Sequence, residues 1–216
     1  MEIIYNTFRE LEKADTTEEV DRILSNLDIP SKYQFDETIY PKLEFKISRE
    51  ELSRFVKFDP EAGSYEINLD SSNDPLARLL YAVLWKNRDL KKINHVIQGI
   101  MNSEDGDKDD GLVFYQFGKF LSSSTEPIID QHVIRAFGIY KSKDNQKHLD
   151  YFVSLNTLSR TDKSIIAEYK NWLENVLKES LRQQHEYRYK VDKVLYGLGK
   201  YAKDQHRKTK NLRSKA

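Results

Sequence analysis

The chain has 216 residues, enough for one large domain or two small lobes with a real hydrophobic core. Charged residues make up 32% of it yet cancel to a formal net charge of +0, which excludes coating of nucleic acid by bulk charge and leaves room only for a localised basic face. Cysteine is absent, so a disulfide framework, a thiolate zinc site and a thiol nucleophile are all excluded. No apolar run reaches membrane-spanning length, and Met1-Glu2-Ile3-Ile4 is not the basic start of a secretory signal. The expectation is a soluble cytoplasmic protein without a membrane partner.

Helical signals dominate from the start. Ile3, Ile4, Phe8 and Leu11 have helical spacing. Thr16 and Glu19 read as a capping box before Val20, Ile23, Leu24 and Leu27, and Pro30 closes that helix. Leu43, Phe45 and Ile47 alternate, as do Tyr65, Ile67 and Leu69, which predicts two short strands. Between them Ser48 and Glu51 form a second capping box, before Leu52, Phe55 and Val56. These signals make residues 1–70 a small lobe of helices and short strands.

Asp74-Pro75 is a strong helix start, an N-cap followed by proline at the first position. Apolar spacing and capping residues then predict helices near 75–87, 90–101, 111–122, 131–141, 162–182 and 186–200. The reading is a mainly α protein with at most a minor β element near the N-terminus. Residues 71–202 form its core, and 203–216 a flexible basic tail. From Gly199 onward seven cations stand against the single carboxylate of Asp204, a segregation suited to phosphates.

Some chemistry is excluded. The acidic loop around Glu104–Gly111 lacks the glycine and glutamate positions of a calcium-binding EF-hand. The five histidines form no metal-binding pair, so neither a structural metal nor a cofactor is expected. No G-x-S-x-G, G-x-x-x-x-G-K or G-x-G-x-x-G is present, which removes serine hydrolases, P-loop enzymes and dinucleotide folds. Two features remain. Trp85-Lys86-Asn87-Arg88 joins two apolar helices through a basic turn, an aromatic able to stack on a base beside phosphate contacts. Glu126-Pro127-Ile128-Ile129-Asp130-Gln131-His132-Val133-Ile134-Arg135 delivers a single carboxylate to the first turn of a helix. Pro127 disfavours helix just before it, and unpaired N–H groups at the helix start keep a carboxylate ionised.

Asp130-Gln131-His132-Val133-Ile134-Arg135 resembles the helix-hairpin-helix DNA glycosylases, in which a short apolar run ends in an aspartate that opens a helix, often as D-x-H-x-x-R. The Ser-rich break before it follows the order of that superfamily, and Arg188–Lys200 is similar to the final helix of distant bacterial relatives with the oxoguanine-glycosylase fold. The resemblance spans roughly residues 75–200 and implies a bilobal helical array that binds double-stranded DNA. It implies Asp130 as the catalytic carboxylate, with His132 and Arg135 near phosphate. Trp85, Lys86, Arg88, Lys119 and Lys200 complete the expected DNA-binding residues. The chain departs from the superfamily at its hairpin, where Asp109-Asp110-Gly111-Leu112 replaces the usual L-P-G-[VI]-G turn. The position of the lysine nucleophile of bifunctional members falls on Leu112, so lyase activity is not expected. Base excision by the aspartate alone is one reading. The alternative is a catalytically silent helical module that binds nucleic acid or a protein partner.

Overall fold

A computed structural model describes residues 1–61, 64–68, 75–102 and 111–213. In chain order the elements are α1 (Glu2–Leu11), α2 (Thr17–Ser25), α3 (Arg49–Ser53), β1 (Val56–Asp59), β2 (Ser64–Ile67), α4 (Pro75–Lys86), α5 (Leu90–Met101), α6 (Leu112–Ser122), α7 (Gln131–Lys141), α8 (Gln146–Ser154), α9 (Lys163–Asn171), α10 (Glu179–Arg182) and α11 (Tyr187–Arg213). The protein is mainly helical. Contacts group the chain into two compact units, residues 1–42 with 129–216, and residues 43–128. These cuts differ from the boundaries at 70 and 202 read from the sequence.

The first unit is built around α7. Val133, Ile134, Ala136, Phe137 and Ile139 are all buried, so this helix is apolar on nearly every side, as a central core helix must be. Phe8 of α1 has no exposed surface and stacks on Tyr140 at 4.2 Å between centroids. It also packs on Trp172, 5.1 Å away. Complete burial of such a ring is worth about 1.5–3 kcal/mol. The polar atoms at the edge of this cluster are satisfied by one carboxylate. Glu12 Oε1 accepts from Tyr140 Oη at 2.8 Å and from Trp172 Nε1 at 2.9 Å.

Helix α11 lies against α7 at unusually short range. A Cβ at Gly199 would stand 1.9 Å from the His132 carbonyl oxygen, so only glycine permits this crossing. Val191, Val194, Leu195 and Leu198 fill the interface and are fully buried. The helix does not stop near residue 200. It continues unbroken to Arg213, which corrects the expected flexible tail from 203. Ala202 is still buried there, Lys208 pairs with Asp204 at i,i+4, and Lys, Gln and Arg are good helix formers.

The second unit centres on α5 and α6, which touch backbone to backbone. A Cβ on Gly99 would meet the Tyr115 carbonyl oxygen at 2.0 Å, and one on Gly118 the Val96 carbonyl oxygen at 2.1 Å. The β element is an antiparallel pair, with Val56 opposite Ile67 and Phe58 opposite Tyr65. The strand expected at Leu43–Ile47 does not form. That segment runs beside α6 instead, where Ile47 N–H donates to Leu121 O at 2.9 Å and Lys46 Nζ to Phe120 O at 2.6 Å. Leu43 and Ile47 are half-buried there, while Phe45 between them stays exposed.

Local signals hold at several helix ends. Ser48 and Glu51 form a reciprocal capping box at α3. Thr16 accepts from Glu19 N–H at 3.2 Å, but the Glu19 carboxylate turns to the Asp15 N–H at 2.6 Å, so that box is not reciprocal. The Asp74 cap and the acidic loop at 104–110 lie outside the described residues. The helix expected over 162–182 is α9, a π turn at Trp172–Val176 and then α10. The π turn carries Trp172 to Glu12. Helix α8 is absent from the sequence expectation, although Asn145 caps it and Leu149, Phe152 and Val153 have helical spacing.

Candidate functional site

The site grows from the start of α7. Asp130 has extended backbone (φ −118, ψ 150), and its Oδ1 accepts from the His132 N–H at 2.5 Å. It is therefore an N-cap, at a position where the helix dipole favours negative charge. Even so, burial raises the carboxyl above its ordinary value. The N–H groups of His132, Val133 and Gln131 and the Arg135 charge oppose that rise without cancelling it. Desolvation wins over a helix terminus and a neighbouring cation.

The sequence places Arg135 at a DNA surface because it follows Asp130 within two turns. Instead it has no exposed surface. α7 is covered on this side by the segment after α8 and by α11, and the guanidinium serves them. Nη1 donates to Gly199 O at 3.1 Å, and Nη2 donates to Leu155 O. Nη1 also lies 2.5 Å from His132 Nδ1. Burial pulls the guanidinium down to about 10, with Asp130 acting the other way, so it stays charged at neutral pH. Among the described residues its Nε has no acceptor.

A guanidinium is always a donor here, which fixes the histidine tautomer. His132 Nδ1 must accept, so the ring proton sits on Nε2. Burial, followed by the charges of Arg135, Lys203 and Lys200, lowers the imidazole to about 4. His132 is thus a neutral Nε2–H donor at pH 7. Its ring meets Tyr196 of α11 edge-on at 5.1 Å. The Tyr196 phenol is raised by burial first and by Asp130 second, which places the two in electrostatic contact. Lys200 lies 5.4 Å over the Tyr196 ring. Lys203, one turn on, is lowered by burial and then by Arg135 and Arg207.

Of the residues singled out from the sequence, the structure gathers Asp130, His132, Arg135 and Lys200. It adds Tyr196, which sequence reasoning misses, and Lys203, which the sequence offers only as one cation of the basic stretch. Their signal is present in the i, i+4, i+7 spacing of Tyr196, Lys200 and Lys203, but a boundary drawn at residue 202 cuts through it. Trp85, Lys86, Arg88 and Lys119 belong to the second unit. Trp85 is 65% exposed at the end of α4, Lys86 is exposed beside it, and Arg88 follows in left-handed backbone (φ 61). Lys119 is on α6 and faces Glu126 at 3.9 Å. Among the described residues no three His, Asp or Glu side chains converge as a metal site would require, and no helix is long and apolar enough to cross a membrane.

No protein-family model, no curated protein and no solved structure matches this chain.

Proposed function

We propose that the chain is a double-stranded-DNA-binding protein of helix-hairpin-helix glycosylase-like fold, and that Asp130 acts in hydrolysis of an N-glycosidic bond. One observation carries the reading. Asp130 keeps a carboxylate where burial penalises its charge, although asparagine caps a helix equally well without that penalty. The helix dipole and the buried Arg135 cation favour a charge there, and the same charge is available to work on a developing cation.

In the proposed reaction a target nucleotide leaves the stack and presents its sugar to the start of α7. The bond from C1′ to the base nitrogen breaks, and its electron pair departs with the base. The Asp130 carboxylate faces the positive charge left on the sugar. Water then adds to C1′ and passes a proton to the carboxylate. Arg135 is a positioning residue, because it ties α7 to α11 and holds His132 Nδ1 as an acceptor. His132 presents Nε2–H as a neutral donor. Lys200 supplies positive charge for phosphate.

The second reading is a catalytically silent DNA-binding module, favoured by the fact that Asp130 Oδ1 is already engaged as a cap. Wild type and Asp130→Asn separate the two on a panel of duplexes, each carrying one modified base. For the enzyme, abasic product forms with wild type and vanishes in Asp130→Asn, while duplex affinity holds or rises as a negative charge is removed. Absence of product from wild type across the panel, with binding intact, leaves the silent module.

A further inference from the structure

The basic C-terminal stretch is ordered, and its order has a direction. On an α-helix, residues 200, 203, 207 and 210 fall at spacings of three, four and three, so they share one face. That face continues from Tyr196, next to Asp130 and His132. Arg207 and Lys210 are exposed and Lys200 and Lys203 half-exposed. Many other cations of this unit are neutralised locally. Lys42 pairs with Glu186, Lys178 with Asp15, Lys190 with Asp21, Lys193 with Glu37 and Lys208 with Asp204. Among the described residues, none of Lys200, Lys203, Arg207 and Lys210 forms an ion pair with a carboxylate, although Lys200 does act on Asp36 at longer range.

We infer that Lys200, Lys203, Arg207 and Lys210 form a rail for the phosphates of one strand of duplex DNA, running along α11 away from Asp130. The row is about 15 Å long at 1.5 Å per residue. One strand of a duplex carries a charge about every 3.4 Å along the axis, so the rail spans about four phosphates. Duplex is the better fit than single strand. Single-strand platforms alternate cations with aromatics on which bases stack, and beyond Tyr196 this face carries no aromatic. The one aromatic nearby, Tyr201, turns aside to pack on Tyr33 at 5.4 Å. The crowding of Lys203 against Arg135 and Arg207 supports the assignment, since an arriving anion relieves it. The rail rests on the DNA-binding part of the proposed function, and not on chemistry at Asp130.

The test is fluorescence anisotropy of the full chain with a labelled duplex of about 20 base pairs and with one of its strands, across about 50–200 mM salt. Neutralising four contacts should flatten the log–log salt slope by about 3.6. Lys200→Gln/Lys203→Gln/Arg207→Gln/Lys210→Gln is therefore expected to lose on the order of a hundredfold less affinity than wild type over that range. A control set on other elements of the same unit, Arg9→Gln/Lys143→Gln/Lys147→Gln/Arg160→Gln, should keep the wild-type slope. Circular dichroism confirms that both variants fold, and the single Arg207→Gln, at an exposed position, should still flatten the slope by about 0.9. An unchanged slope in the row variant, an equal change in the control, tighter binding of the single strand, or no duplex binding at low salt would each overturn the rail. Failure of excision leaves the slopes intact, so loss of the chemistry and loss of the rail are read separately.

Discussion

Replacing Arg135 by methionine tests the architecture of the site most directly. Methionine keeps much of the volume but none of the donors. The buried Leu155 carbonyl and the part-buried His132 Nδ1 then lose their donor, while the Gly199 carbonyl keeps its place in the α11 hydrogen-bond ladder. Each unpaired buried acceptor costs about 1–3 kcal/mol. Removing a desolvated cation returns part of that sum, since a buried guanidinium is itself expensive. The net loss should be about 3 kcal/mol, or roughly 6–12 °C in Tm for a chain of this size. Arg135→Lys should recover only part of it, because an ammonium cannot span three acceptors in a planar fork. Denaturant unfolding monitored by circular dichroism measures the difference, and NMR titration of His132 gives a second readout. With the adjacent cation gone, the imidazole should move up from about 4 while staying below 6.5, because burial is the larger cause of its depression. An Arg135→Met variant within about 1 kcal/mol of wild type, with His132 unmoved, would show that the fork holds nothing together.

Three further outcomes follow from the same geometry. Asp130 binds its proton more tightly folded than unfolded, so wild-type stability falls as pH rises through that window. Asp130→Asn should thus match or exceed wild type near neutral pH and lose the advantage as pH falls, while Asp130→Ala loses about 1 kcal/mol of capping; a thermal melt with the Asp130→Asn variant well below wild type at neutral pH contradicts this. His132 behaves oppositely: the unfolded imidazole protonates near 6.5 and the folded one only near 4, so stability present above pH 6.5 drains away towards pH 4. The loss should be on the order of 2–3 kcal/mol relative to His132→Gln, and parallel pH profiles of the two proteins would refute it. Gly199→Ala should destabilise strongly, because its Cβ meets the His132 backbone at 1.9 Å, whereas the nearest atom to a Cβ at Gly197 is the end of the Ile29 side chain at 3.2 Å, with backbone no nearer than 3.6 Å. Gly197→Ala should be neutral or gain up to about 1 kcal/mol from helix propensity, and equal Tm values for the two variants would disprove the close crossing.

What the sequence determined by itself was local. Pro127, the apolar pair and the Val133, Ile134, Phe137 spacing placed Asp130 at a helix start, and the structure has its carboxylate capping α7. Ser48 and Glu51 specified their capping box in the same way. These features depend on residues within one or two turns, so the pattern contains the information. Tertiary structure decided the rest. Arg135 reads as an exposed helical arginine, and it is buried because the segment at Leu155 and the crossing of α11 at Gly199, 64 residues away, both cover it. The Leu43–Ile47 alternation reads as a strand, but α6 supplied the neighbour, while Val56, read as the last apolar position of the helix opened by Ser48, begins a strand that pairs with Ser64–Ile67. The charged stretch after Lys203 reads as a tail. It is the last turns of a helix whose buried half anchors it, and Tyr196 and Lys203 meet Asp130 and Arg135 only through that packing. Burial sets the protonation of all these groups, and burial belongs to the assembled core rather than to any short window of sequence.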